Sequence, residues 1–226
     1  DIRIQDDVVV RKAGDIIPEI VASVPEKRDG TQIPYEFPKT CPVCGMPLVR
    51  YPDEAHHFCI NNDCPARVVE SIAHFCSRDA MNIDGLGVKR VELFHAQGWL
   101  NTVEDIYNLK RHYQEILQTP KMGKKSADNL LEAIENSKQN SLEKLLYGLG
   151  IRQIGEKAAK ILAYRFETIQ TLMNATYEEL EEIKDIGAIT AQTVLDFFHD
   201  EANQHLIEAL IEHGLNMICL KEEQVE

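Results

Sequence analysis

Gly87, Gly123, Gly155 and Gly187 stand 36, 32 and 32 residues apart, a period that marks stacked supersecondary repeats. Each follows an apolar residue: Leu86, Met122, Ile154 and Ile186. After each runs an amphipathic helical stretch, carrying Val91, Leu93 and Phe94, then Leu130, Leu131 and Ile134, then Ile161 and Leu162, then Val194, Leu195 and Phe197. The pattern predicts helix, tight hairpin and helix, four times over, and hence a mainly α fold.

Such a hairpin suits anion capture. Glycine admits backbone conformations closed to other residues and lets another backbone come close. The first N–H groups of the helix that follows lack intrahelical partners and sit at the positive end of its dipole, where a phosphate fits. Lys89, Arg90, Lys124, Lys125, Lys157 and Lys160 lie within a few residues of the first three glycines. The fourth has Asp185 before it and no lysine just after it, so it is expected to contribute least. The competing readings are ordinary helix starts, or a repeat scaffold that binds protein. The stretch resembles the tandem helix-hairpin-helix repeats of DNA-binding enzymes. Gly85-Leu86-Gly87 has that family's full Gly-apolar-Gly hairpin, while Lys121, Gln153 and Asp185 occupy the place of the first glycine in the other three. The candidate DNA contacts are therefore Gly85, Gly87, Lys89, Arg90, Gly123, Lys124, Lys125, Gly155, Lys157 and Gly187.

The formal net charge of −13 over 226 residues has the wrong sign for bulk attraction to DNA. A DNA-binding surface would need its basic residues clustered. They cluster near the hairpins, while acidic runs such as Glu178-Glu179-Leu180-Glu181-Glu182 fall between them. No stretch approaches the roughly 20 apolar residues of a membrane span, and the first residues form no signal peptide. The expected setting is cytoplasmic, with no membrane partner. Because it opens in mid-strand without a methionine, the chain looks like a piece of something longer.

Residues 1–37 read as β structure. Val8 to Lys12 and Ile16 to Val21 form two short strands around a turn at Ala13-Gly14-Asp15, and Pro18 suggests an edge position. Two or three strands cannot close a core alone, so the segment is expected to be the tail of a partial β-barrel. Lys27-Arg28-Asp29-Gly30 has the Lys-x-Asp-Gly form in which nucleotidyltransferases place their reactive lysine, yet it lies in a polar segment between Pro25 and Pro34. A solvated loop is the expected role.

Residues 38–66 carry the most specific pattern. Cys41-x2-Cys44, fourteen residues, then Cys59-x4-Cys64 supplies two cysteine pairs, each on its own turn. Four thiolates complete a tetrahedral zinc shell with no open position, which makes the predicted site structural. Disulfides, an iron–sulfur cluster, or His56 or His57 in place of one thiolate are the alternatives. Cys76 and Cys219 lie outside the pattern and read as plain thiols.

From Pro65 the chain reads as helical. Ala66 to Ser77 is one predicted helix, and connecting helices fall near 102–109, 141–148 and 168–183. Thr102 and Thr176 are read as N-caps with an acid three residues on. Trp99 reads as core between the first two repeats. A last helix near 201–213 ends at Gly214, a short strand-like run covers 215–219, and 219–226 reads as a disordered end or linker after a hairpin domain over 67–218.

The order of parts is similar to the C-terminal part of bacterial NAD-dependent DNA ligases: a barrel tail with Val10-Arg11-Lys12-Ala13-Gly14-Asp15-Ile16-Ile17-Pro18, a four-cysteine zinc module, then four hairpins. Cys41-Pro42-Val43-Cys44-Gly45, Cys64-Pro65-Ala66 and Asp84-Gly85-Leu86-Gly87 are the specific matches. The resemblance implies an end of an OB-fold, a four-cysteine zinc finger and a helix-hairpin-helix domain that close around nicked duplex DNA along its minor groove. It also implies that NAD and magnesium serve other domains of the enzyme. There a lysine–AMP adduct forms, AMP passes to the 5′-phosphate of the nick, and the 3′-hydroxyl displaces it. None of those catalytic parts and no BRCT domain is matched, so this piece alone is expected to be inactive and monomeric, with the rest of the ligase chain as partner. A free-standing adaptor that recognises DNA structure is the alternative.

Overall fold

In a computed structural model, residues 1–14, 16–52 and 55–220 are described. They form two compact units, one over Asp1–Asn61 and one from Asn62 onward.

The first unit is made of short antiparallel pairs. Strands β1 (Arg3–Ile4), β2 (Val8–Ala13), β3 (Ile17–Ser23), β4 (Ile33–Pro34), β5 (Leu48–Val49) and β6 (Phe58–Cys59) pair as β1 with β4, β2 with β3 and β5 with β6. The β2–β3 hairpin matches the two expected strands, with a bulge between Val9 and Val10 and Pro18 opposite Lys12. A two-stranded sheet consists only of edges, so the proline displaces no ladder bond that a central strand would need. Asp15, in the expected turn, lies outside the described residues. The described strands do not close into a barrel, and Ile16, Ile17, Ile20, Ile33 and Tyr35 are exposed. Ion pairs hold the chain here. Arg28 donates from Nε and Nη2 to both oxygens of Asp6 at 2.7 Å each, which holds the Asp6 carboxyl down to about 2. Lys27 pairs with Asp7 at 2.7 Å, and Asp29 accepts from the Thr31 hydroxyl at 2.6 Å. The Lys-x-Asp-Gly stretch thus begins at the end of a short 3-10 helix, Pro25–Lys27, and runs on as an ion-paired loop.

The second unit is helical, with α1 (Pro65–Cys76), α2 (Val88–Ala96), α3 (Tyr113–Leu117), α4 (Lys124–Ser137), α5 (Leu142–Gly148), α6 (Glu156–Phe166), α7 (Ile169–Met173), α8 (Tyr177–Glu181), α9 (Ala188–His199) and α10 (Glu201–Glu212). Val91, Phe94, Leu130, Ile134, Leu162 and Val194 of the apolar stripes named from the sequence enter one core, together with Val69, Ile72 and Phe75 of α1. Trp99 packs on Phe94 with ring centres 5.2 Å apart and stacks on His112. At Gly148, in α5, an added Cβ would come within 3.2 Å of Phe75 in α1, so glycine permits that close packing.

Four expectations about the connectors and the last residues need correction. The connector near 102–109 is a 3-10 helix over Glu104–His112. Thr102 does not cap it by side chain; instead the Asp105 carboxylate accepts from the N–H groups of Asn101 and Thr102 at 2.8 and 2.9 Å. The single helix near 168–183 is two, because Thr176 starts a fresh one with a complete capping box to Glu179, and Thr168 caps the other by accepting from Thr171 N–H. Residues 215–220 form a hydrogen-bonded strap. Asn216 N–H donates to Lys138 O, Cys219 N–H to Glu167 O, and Ile169 N–H to Met217 O. Leu220 N–H reaches the Ser141 hydroxyl, and Cys219 is buried. The ordered chain therefore continues past the expected boundary at 219, while 221–226 lie outside the described residues.

Candidate metal centre and nucleic-acid interface

The sequence places each cysteine on a turn or element end. Gly45 at φ +75° lets the first knuckle fold back, with Gly45 N–H donating to Cys41 O at 2.9 Å and Cys41 N–H to Met46 O at 2.7 Å. Cys59 ends β6, and Cys64 caps α1 just ahead of Pro65. All four sulfurs lie within 4.8 Å of one another, and those of Cys44 and Cys59 are 3.5 Å apart. Zinc–thiolate bonds of about 2.3 Å at tetrahedral angles put sulfurs roughly 3.8 Å apart, so the cluster fits that ion. The N–H of Met46 pulls the Cys44 thiol down to about 6, helped by Asn61 and the neighbouring sulfurs, and the amides of Cys44 and Val43 lower Cys41. Thiolate is the form that binds metal. All six cysteines are free of disulfides. His57 stacks on Phe37 at 4.0 Å and His56 lies edge-on to Phe58, and neither belongs to the cluster. Cys41, Cys44, Cys59 and Cys64 make a structural zinc site. Cys76, outside it, is pushed up to about 12 by burial.

The four hairpins are built to one plan. Ile83, Thr119, Ile151 and Ile183 accept through their carbonyls from the N–H groups of Leu86, Met122, Ile154 and Ile186, at 3.3, 3.2, 3.0 and 3.0 Å. Gly85, Lys121, Gln153 and Asp185, third in each turn, have φ of +86°, +61°, +64° and +73°. That combination marks a type II turn. Three non-glycine residues thus hold the left-handed conformation of the family's first glycine, at roughly 1–2 kcal/mol each. Leu86, Met122, Ile154 and Ile186 are buried and anchor each turn to the core.

The glycine after each anchor is the N-cap of α2, α4, α6 or α9, with φ between −79° and −85° and ψ between 169° and 177°. Any residue can take these angles, and a Cβ there would meet nothing within 4 Å. The expectation that these glycines supply a conformation closed to other residues is corrected: the left-handed position lies two residues earlier. Nothing inside the protein calls for glycine at 87, 123, 155 or 187. No N-cap side chain accepts from the first amides of these four helices.

Around these starts the charges differ. The second helical residue is Lys89, Lys125 and Lys157 in the first three hairpins and Ile189, 70% exposed, in the fourth. Lys89, Arg90 and Lys121 line a groove of about 590 Å³ with Asp84, Gly85 and Gly87, and the Arg90 guanidinium donates to Gly85 O. Lys124 stands 3.9 Å from Asp128. Lys157 pairs with Asp185 at 2.8 Å, and the Lys160 ammonium lies over the Tyr164 ring.

Residues 40–66 match the family described as the NAD-dependent DNA ligase C4 zinc finger domain. The chain matches a segment of NAD-dependent DNA ligases. Residues 77–136 match a SAM-like helix-hairpin-helix tandem and 144–207 a helix-hairpin-helix motif, so the first two hairpins fall in one match and the last two in the other. The DNA ligases of Anoxybacillus flavithermus and Oceanobacillus iheyensis are each 49% identical over 217 residues, and that of Clostridioides difficile 45% over 216, covering 96% of this chain. The chain spans about a third of the length of these ligases, 32% of each. No described helix is long and apolar enough to cross a membrane.

Proposed function

We propose that this chain is the DNA-gripping part of an NAD-dependent DNA ligase, holding nicked duplex through its sugar-phosphate backbone and minor groove. The observation that carries the reading is the set of four near-identical helix starts, each opening on a glycine whose missing Cβ leaves room only for something outside the protein. Unbonded amides at a helix N-terminus favour a phosphate oxygen, and Gly85, Gly87, Lys89, Arg90, Gly123, Lys124, Lys125, Gly155, Lys157 and Gly187 are the proposed contacts. Backbone contacts of this kind position a protein on DNA without reading its sequence, as sealing any nick requires.

Cys41, Cys44, Cys59 and Cys64 would hold zinc, which would tie their turns together and supply no chemistry to substrate. The hairpin amides donate to phosphate oxygens, lysines such as Lys89 and Lys125 displace counterions, and neither group moves a proton or forms a bond. The proposed domains are an OB-fold end over 1–37, the zinc finger over 38–66 and the hairpins over 67–218. Adenylation by NAD, with magnesium, belongs to the remainder of the ligase, which is this chain's partner. The setting is cytoplasmic and nucleoid-associated, and the chain is a monomer.

The test is complementation. The zinc-loaded chain alone should seal no nick and should restore sealing to an adenylated N-terminal half of the enzyme. Failure to restore it with a correctly folded chain would favour a free-standing adaptor of DNA structure instead.

A further inference from the structure

The third and fourth hairpins differ from the first and second in how their charges are arranged. In each pair, the second residue of the leading helix and the left-handed residue of the following turn are counterparts in register. In the first pair these are Lys89 and Lys121, both lining one groove with Arg90. In the second pair they are Lys157 and Asp185, joined Nζ to Oδ2 at 2.8 Å. Asp185 does this from a left-handed backbone position at φ +73°, which aspartate tolerates better than most residues. The side chains are 80% and 47% exposed, so the pair adds little to stability and acts by lowering the net charge that Lys157 offers to solvent.

We infer that Asp185 is a positioning residue that silences the second hairpin pair. It occupies Lys157 as a phosphate would, and so removes that lysine from the counterion-releasing grip on DNA that its counterpart Lys89 keeps. The inference rests on the DNA-backbone reading of the hairpins and deepens it. A lysine already neutralised by a carboxylate gains little by exchanging it for a phosphate, and its transfer to DNA leaves a carboxylate facing the backbone. Asp185 thereby makes the grip lopsided. The end of the domain bearing Gly87 and Gly123 presents Lys89, Arg90 and Lys121 in one groove, and the helix starts at Gly155 and Gly187 present a paired Lys157 and the exposed Ile189.

The experiment titrates the zinc-loaded 226-residue chain against one nicked duplex across a series of salt concentrations. The variants are Lys89→Gln, Lys157→Gln, Asp185→Asn and the Lys157→Gln/Asp185→Asn double, each checked for unchanged helix content. Lys89→Gln should lower the slope of log K against log salt by about 0.9, the share of one phosphate contact, and Lys157→Gln should leave it near the unsubstituted value. Asp185→Asn should steepen the slope by about 0.9 and tighten binding roughly threefold at low salt. The double variant should return the slope to its starting value. Weaker or unaltered binding in Asp185→Asn, or an equal effect of Lys157→Gln and Lys89→Gln, would overturn the inference while leaving the DNA reading intact. Absence of any salt-dependent binding by the unsubstituted chain would overturn that reading, and the inference with it.

Discussion

Residues 1–61 and the helical region after them solve the same problem by different means. Among the described residues of the first, Cys41 alone is buried, and the chain is held by β-pairs, the Arg28–Asp6 ion pair and three of the four clustered thiolates, those of Cys41, Cys44 and Cys59. The helical region buries an apolar residue at almost every turn, including the anchor of each hairpin. Short segments lack the buried area to stabilise themselves, and a metal supplies what packing cannot. The hairpins need no such help, which frees their glycines for contact with something outside.

The difference can be broken most severely by taking the metal away. Structural zinc binds such sites with about 10–16 kcal/mol, so a chelator, or Cys41→Ser or Cys64→Ser, should disorder residues 40–66 and release zinc while the far-ultraviolet helical signal persists. Full zinc occupancy in both variants by metal assay would sink the four-thiolate assignment. Next in size is the apolar core. Leu86→Ala removes a buried anchor and should cost about 2–5 kcal/mol in urea unfolding, with zinc content unchanged. Smaller again is Thr176→Ala, which deletes a complete capping box and should cost about 1 kcal/mol. A null result there would mean that α8 does not depend on its cap.

Much of this architecture is legible in the sequence, and the reason is periodicity. Four glycines at near-equal spacing locate the hairpins, and the apolar residues around them locate the core, because both patterns are local. The cysteine spacing is equally local. What escapes is set by distant partners or by a single competing side chain. The strap at 215–220 exists only because Lys138, Glu167 and Ser141 present groups to it from far along the chain. The 3-10 helix at Glu104–His112 starts where the Asp105 carboxylate gathers two amides, a contest that propensity alone does not decide. The left-handed residues Lys121, Gln153 and Asp185 are visible in the sequence only as absent glycines, although Pro120, ahead of Lys121, carries a type II turn signal. Equally hidden is the Lys157–Asp185 pair, since residues 28 positions apart meet only through the fold.

The smallest expected change in stability accompanies the largest expected change in function. Gly87 has ordinary dihedral angles and free space where a Cβ would go, so Gly87→Val should scarcely alter the melting curve. The same substitution places a branched side chain against whatever approaches the amides of Val88 and Lys89. The decisive measurement is therefore a paired titration of nicked duplex with the zinc-loaded chain and its Gly87→Val variant at several salt concentrations. Strong salt-dependent binding by the first and a clear loss of affinity in the second, at equal helix content, is the predicted result. Equal affinity of the two would contradict the account.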